Sequence, residues 1–160
     1  MLLRLAIRDF VLVDRLELEF AAGFGALTGE TGAGKSILVD ALAFVLGDRA
    51  DAGLIRNGCD RAEVSAEFDI AALPAVGDWL RDNEMDQDEG LILRRTLDAG
   101  GRSRVWINGS SSTVQQLREV AEWLVDIHGQ HAHQSLMRPD AQRILLDQHA
   151  GLSTSVADVG

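Results

Sequence analysis

Residues 29–36 read Gly-Glu-Thr-Gly-Ala-Gly-Lys-Ser, and this stretch decides the fold. It matches the pattern G-x-x-x-x-G-K-[S/T], whose glycines allow a loop to close tightly around phosphate groups. The apolar residues 26–28 before it are predicted to form a short buried strand. The apolar run after it predicts a helix from Lys35 to about Leu46 that ends at Gly47. This motif requires a preceding strand and a following helix, so the sequence predicts a phosphate-binding loop in an α/β fold.

The predicted loop has the chemistry of a nucleoside-triphosphate site. Backbone N–H groups in such a loop and at the start of its helix point toward the phosphates. The Lys35 ammonium is expected to reach the β- and γ-phosphates and to act in catalysis, and the Ser36 hydroxyl is expected to ligate Mg²⁺. The predicted cofactors are ATP and Mg²⁺. The residues predicted to contact the nucleotide are Gly29, Glu30, Thr31, Gly32, Ala33, Gly34, Lys35, Ser36 and Ile37.

Lysine usage supports this prediction. Lys35 is the only lysine among 15 basic residues, and the others are arginines. The slim ammonium of lysine can thread a closed loop in which the wide arginine fork would not fit. A guanine-binding Asn-Lys-x-Asp element would need a second lysine, so the sequence does not favour a GTPase. ATPases and small-molecule kinases both remain open from the loop alone.

The composition is typical of a globular domain. The chain has 160 residues, of which 46% are hydrophobic and 25% are charged. No apolar run approaches the roughly 20 residues of a membrane span, and Arg4, Arg8 and Asp9 interrupt any signal-peptide core. Cys59 is the only cysteine, and we interpret it as a plain thiol in a reducing cytoplasm. We therefore expect a cytoplasmic protein without membrane contact.

Charge limits how the chain can contact nucleic acid. With 25 acidic and 15 basic residues the formal net charge is −10, so any DNA contact must be a local patch. Arg94, Arg102 and Arg104 alternate along a predicted hairpin and are expected to share its outward face. A solvated strand face is the favoured interpretation of these arginines, and a contact with DNA or a partner is the alternative.

Periodicity predicts the remaining elements. Alternating apolar residues indicate strands, and apolar residues at helical spacing indicate helices. Ser112 or Thr113 is predicted to cap a helix that runs to about Glu122. The other predicted elements are two strands within Leu2–Phe20, a strand Val64–Ile70, a helix Pro74–Asn83, a hairpin of Leu91–Leu97 with Arg102–Asn108, a strand Trp123–Ile127 and a helix Asp140–His149.

Beyond the loop, the sequence resembles a known family. The helix at residues 36–47 resembles the first helix of SMC-type ABC ATPases, and residues 28–37 resemble the RecN family of bacterial DNA-repair proteins. Further matches to RecN lie at Leu54–Gly58, Ile107–Gly109 and Val125–His131, in the same order. The resemblance covers residues 1 to about 150. It implies a P-loop NTPase fold: an ABC/SMC-type head N-terminal lobe with a mixed sheet, a β-hairpin and flanking helices.

The resemblance also implies a function. Residues 1–150 would form the N-terminal half of the head of a DNA double-strand break repair ATPase, and residues 151–160 would begin a linker toward a coiled coil. The partners implied are the C-terminal half-head of the same chain, a second copy joined head to head across ATP, and DNA, in the bacterial cytoplasm at the nucleoid. The Leu-Ser-Gly-Gly signature and the catalytic acidic segment are absent, so the chain alone is expected to hydrolyse ATP poorly if at all.

Gln130 is the second catalytic residue that the resemblance implies. It corresponds to the Q-loop glutamine, which follows a strand and contacts Mg²⁺ and the attacking water. Gln134 is the less favoured alternative. Asp126 is interpreted as a structural carboxylate rather than a metal ligand. The nearby histidines lack the spacing of a zinc site and are expected to line the nucleotide or the opposing head; they are His128, His131 and His133.

Three further arginines are candidate contacts. Arg8, near the end of the first strand, is predicted to approach the base or ribose. Arg49 and Arg56 follow the phosphate-loop helix, where SMC-type heads place arginines that approach DNA or the partner's nucleotide. Two other functions remain open: a self-contained nucleotide kinase or phosphotransferase, and a non-catalytic module that dimerises in response to nucleotide.

Overall fold

Six antiparallel strands form one sheet in the part of the chain that the structure describes. The computed structural model describes residues 1–23, 33–87 and 90–124, all within the first of the two units into which the chain divides, Met1–Val125. The sheet order is β2-β1-β3-β4-β5-β6. The elements are β1 Leu2–Phe10, β2 Val13–Glu19, α1 Ala33–Val45, a 3-10 turn Ala52–Leu54, β3 Arg61–Asp69, α2 Pro74–Asp82, β4 Gly90–Asp98, β5 Ser103–Ile107, β6 Ser110–Ser112 and α3 Val114–Leu124.

Alternation along the strands gives the sheet an apolar inner face and a polar outer face. The inner face is buried under α1, which packs against β1, β3 and β4. At the end of that contact the rings of Phe10 and Phe44 lie 5.6 Å apart. Helices α2 and α3 pack against each other, and α3 also packs on β5. The buried side chains of the strands are Leu5, Ile7, Phe10, Ala62, Val64, Ala66, Phe68, Leu91, Leu93, Arg95, Thr96, Leu97, Val105 and Ile107.

Tight turns and a helix cap follow the sequence closely. Asn108 and Gly109 both have positive φ, 48° and 79°, as a two-residue hairpin turn requires, and they connect β5 to β6. Thr113 caps α3: its Oγ1 accepts a hydrogen bond from the Gln116 N–H at 3.1 Å. The Gln116 side chain accepts one from the Thr113 N–H at 3.0 Å, which completes a capping box.

Most predicted elements are confirmed, and one is wrong. Residues 2–20, 64–70, 74–83 and 91–108 form the predicted strands, helix and hairpin within a residue or three. The strand predicted at Trp123–Ile127 is wrong at its first two residues, because Trp123 and Leu124 end α3. Leu124 continues the helical spacing of Leu117, Val120 and Ala121. The strand predicted at residues 26–28, residues 125–127 and the helix predicted at residues 140–149 lie outside the described residues.

No helix among the described residues is both long enough and apolar enough to cross a membrane.

Candidate nucleotide-binding site

Helix α1 begins inside the phosphate-loop motif. Its first residue is Ala33, so Ser36 lies in the first turn, where it is exposed. The first turn contains no acidic residue, so no carboxylate within that turn offsets the partial positive charge of the helix N-terminus. Ile37 is buried, so its side of the helix faces the protein interior. Gly29, Glu30, Thr31 and Gly32 lie outside the described residues, as do the side chains of residues 33–35, including Lys35.

The opposite end of α1 is closed by a Schellman motif. Gly47 has φ +109°, a conformation that glycine adopts readily and other residues do not. The Gly47 N–H donates to Phe44 O at 3.2 Å, and the Asp48 N–H donates to Ala43 O at 3.0 Å. A Cβ on Gly47 would lie 2.6 Å from Cγ of Arg118. The helix therefore ends where the sequence predicts, directly against a side chain from α3.

Two arginines from other elements bind the carbonyls at this end of α1. Arg95, on β4, is only 3% exposed. It donates to Phe44 O at 2.6 Å, to Asp48 O at 2.7 Å and to the Ser103 hydroxyl at 2.8 Å. Its guanidinium also lies 4.6 Å from the centre of the Phe44 ring. Arg118, on α3, donates from Nε to Gly47 O at 2.7 Å. We call these two side chains the arginine clamp.

The arginine clamp was not predicted from the sequence. Arg95 lies on the inner face between Leu93 and Leu97, each one strand period away, and this inward phase is the signal that could have found it. Burial, together with the nearby charge of Arg118, lowers the pKa of Arg95 to about 10, and the Asp48 carboxylate acts in the opposite direction. Arg95 remains charged at neutral pH and complements the negative end of the helix dipole.

Arg8 lies on the outer face of the sheet, across the sheet from α1. The strand register places Arg15, Arg8, Glu63, Thr96 and Arg104 in one row across five strands. Part of this row lines a shallow groove of about 210 Å³ whose other lining residues include Ala6 and Ser65. The like charges of Arg8 and Arg15 are direct cross-strand neighbours, which is unfavourable. Glu63, the neighbour of Arg8 on the other side, supplies an opposite charge.

Arg49 and Arg56 lie in the segment that follows α1. Arg49 is exposed. Arg56 is half-buried; its N–H donates to Asp9 O at 2.9 Å, and its side chain lies 3.8 Å from the Asp14 carboxylate. The Cys59 thiol donates to the side-chain carboxylate of Asp9, with 3.3 Å between Sγ and Oδ1. That hydrogen bond and burial raise the pKa of the Cys59 thiol.

The three hairpin arginines are all exposed. Arg94 stacks on Trp106, with 4.3 Å between the guanidinium carbon and the ring centre. Arg104 follows on the same face, two residue pairs away in the register. The prediction that Arg102 shares this strand face is wrong, because Arg102 lies in the turn before β5. Its backbone N–H and its Nε donate to the Asp98 carboxylate at 2.9 and 3.1 Å, and these hydrogen bonds lower the pKa of the Asp98 carboxyl.

The other candidate residues cannot be placed. Gln130, Gln134 and Asp126 lie outside the described residues, as do the three histidines. Across residues 1–23, 33–87 and 90–124, no group of three or more His, Cys, Asp or Glu side chains could hold a metal ion.

Comparison with known proteins decides the family. Residues 1–126 match the RecF/RecN/SMC N-terminal domain. The chain belongs to this family. It is 49% identical over 150 residues to the DNA repair protein RecN of Xylella fastidiosa, covering 94% of this chain and 27% of that protein. The chain thus spans about a quarter of the length of this relative.

Solved structures share the fold of this RecF/RecN/SMC domain. One comes from work on ATP-driven dimerisation and DNA-stimulated activation of SMC ATPases; it has a TM-score of 0.65 at 24% identity and covers 91% of this chain and 97% of the other. Another is an Smc head with an extended coiled coil from Pyrococcus furiosus, bound to the C-terminal domain of ScpA. Its TM-score is 0.69 at 23% identity, and the match covers 98% of this chain and 43% of the other. The predicted fold, an SMC-type N-terminal lobe, is confirmed.

Proposed function

We propose that this chain is the ATP-binding N-terminal half of an SMC-like ATPase head that acts in DNA double-strand break repair. One observation carries the proposal: a complete phosphate-loop motif leads into α1 in a chain of the RecF/RecN/SMC family. The similar protein from Xylella fastidiosa is a DNA repair protein. A C-terminal half-head of the same protein would complete the ATPase, and we call the two halves together the assembled head. It would act in the bacterial cytoplasm, at the nucleoid.

The first turn of α1 fits a phosphate group and Mg²⁺. An exposed hydroxyl at Ser36 and a helix N-terminus without acidic side chains are the groups that such ligands need. In the assembled head, Lys35 would hold the γ-phosphate and Ser36 would hold the metal. When bound, Mg²⁺ neutralises charge on the phosphate oxygens. Gln130, assigned by resemblance, would contact the metal and orient the attacking water through an amide that both accepts and donates hydrogen bonds.

Mixing the two half-heads tests this proposal. We expect ATP hydrolysis to be absent or very slow for each half alone and to appear when a purified C-terminal half-head is titrated into this chain. The same titration with a Lys35→Ala chain is the control and should give no hydrolysis. Full activity of this chain alone would indicate a self-contained kinase or phosphotransferase instead. ATP-dependent association without hydrolysis would indicate a nucleotide-switched dimerisation module.

We further propose that the outer face of the sheet contacts DNA through the hairpin arginines. Arg94 and Arg104 lie exposed on the same face, and the cross-strand row described above adds Arg8 and Arg15 to this region. Glu63 lies between Arg8 and Thr96 in that row, so the positive charge is confined to the two ends of the row, in a chain whose net charge is −10. Two such assembled heads would bind ATP between them, where Arg49 and Arg56 would approach the DNA or the partner's nucleotide.

Salt dependence of DNA binding tests the hairpin contact. In the assembled head, Arg104→Gln should weaken DNA binding and lower the slope of log K against log salt by about 0.9, because one phosphate contact is lost. The triple change of Arg94, Arg102 and Arg104 to Gln should lower it by up to about 2.7. Arg81→Gln removes the same charge from α2, where Arg81 pairs with Asp78, and should leave the slope unchanged. Identical slopes for all variants would leave these arginines as a solvated strand face.

A further inference from the structure

The phosphate loop and the arginine clamp lie at opposite ends of one helix. With 13 residues, α1 is about 20 Å long. A tilt of about 3° around its C-terminal end would therefore move its N-terminus by about 1 Å. Misplacement by about 1 Å is enough to cost an enzyme roughly 100-fold in rate. A nucleotide site at the N-terminus of α1 therefore depends on the direction of the helix axis.

Apolar packing alone does not fix that direction. The contacts of Ile37, Ala41 and Phe44 with the sheet are favourable but non-directional. Hydrogen bonds are directional, and the planar fork of Arg95 holds its acceptors in a fixed geometry. Because Arg95 also binds Ser103, it connects the end of α1 to both β4 and β5. Arg118 connects the same end to α3.

The type of residue at position 95 supports the same conclusion. The inner face of β4 otherwise presents Leu91, Leu93 and Leu97, all fully buried. A further leucine would fit this pattern without the cost of removing a guanidinium from water. Arg95 is tolerated because helix carbonyls and a hydroxyl satisfy it. Its hydrogen bonds therefore add orientation that a leucine could not supply.

We propose that Arg95 and Arg118 are positioning residues of the nucleotide site: by binding carbonyls at the C-terminal end of α1 and in the turn directly after it, they set the axis of the helix whose N-terminus receives the phosphates. This inference rests on the proposed nucleotide binding. It assigns neither arginine a contact with the nucleotide. Their effect on ATP passes through α1 over its whole length.

The test compares ATP affinity with stability in the assembled head. We expect Arg95→Met to lower the melting temperature by roughly 10 °C and to raise the Kd for Mg-ATP about tenfold, measured well below the melting temperature of each variant. Arg95→Lys, which keeps a cation but not the fork, should restore part of the affinity. The matched control is Leu80→Ala, a buried residue of α2 that should lower the melting temperature similarly while leaving the Kd unchanged.

Further variants keep the inference falsifiable. If Arg95→Met does not fold, Arg118→Gln serves instead, because Arg118 is largely exposed; it should raise the Kd about threefold with little change in melting temperature. A Kd within twofold of wild type for both clamp variants, with binding still lost in Lys35→Ala, would overturn the positioning role and leave the proposed function standing. Undiminished ATP binding in Lys35→Ala would overturn the proposed function itself.

Discussion

Lys35→Ala should lower the affinity of the assembled head for Mg-ATP by roughly 30-fold to several-thousand-fold. The ammonium is the main protein cation expected at the γ-phosphate, and truncating one member of a buried, hydrogen-bonded charge pair costs about 2–5 kcal/mol. The loop N–H groups and Ser36 would remain, which is why weak binding should persist at high concentration. Calorimetric titration with Mg-ATP measures the effect, and thermal melting without nucleotide controls for folding.

Lys35→Arg separates the charge of this residue from its shape. The variant keeps a positive charge, but the guanidinium fork is too wide for a closed phosphate loop. We therefore expect it to lose nearly as much affinity as Lys35→Ala. Near-wild-type affinity in Lys35→Arg would contradict the steric explanation for the single lysine of this chain. Near-wild-type affinity in Lys35→Ala would contradict the phosphate loop.

Elements with a local signal could be predicted from the sequence. Strands β1, β3, β4 and β5 alternate because one face of the sheet is buried, under α1 for the first three and under α3 for β5, and the other face is polar. Thr113 and Gln116 specify the start of α3 over three residues, and Gly47 specifies the end of α1. Each of these signals lies within one element or one turn. The phosphate-loop motif is equally local, although the position of its side chains stays a prediction.

Contacts between distant residues could not be predicted in this way. Arg95 and its acceptor Phe44 are separated by 51 residues, and Arg118 and Gly47 by 71. Alternation shows that Arg95 points inward, but only the packed fold shows which carbonyls it meets. At Trp123 and Leu124 the difficulty was the short apolar run, which fits a strand or a helix equally well. The packing of α3 on β5 stabilises the helical conformation of this segment.

Asn108 shows how a motif shared with a family can be structural. The sequence predicts only that it ends the hairpin and belongs to the stretch that resembles RecN, yet it is 4% exposed and its side chain is fully hydrogen-bonded. Its Nδ2 donates to Met85 O at 2.9 Å, and its Oδ1 accepts from the Ile92 N–H at 2.8 Å. Asn108 therefore connects the segment after α2 to the hairpin formed by β4 and β5. Its φ of +48° is a conformation that asparagine tolerates better than most residues.

Asn108→Ala should accordingly destabilise the assembled head by about 3–5 kcal/mol. The change leaves the buried Met85 carbonyl and the part-buried Ile92 N–H without the Asn108 side chain, and it places alanine in the left-handed region. Asn108→Gly should be about 1 kcal/mol less destabilising, because glycine removes the backbone cost but not the lost hydrogen bonds. Asn83→Ala is the matched control: its Nδ2 donates only to Trp79 O, at 2.8 Å, so about 1 kcal/mol is expected. Urea unfolding measures all three variants, and equal losses for Asn108→Ala and Asn83→Ala would show that the Asn108 side chain does not hold the hairpin to the segment after α2.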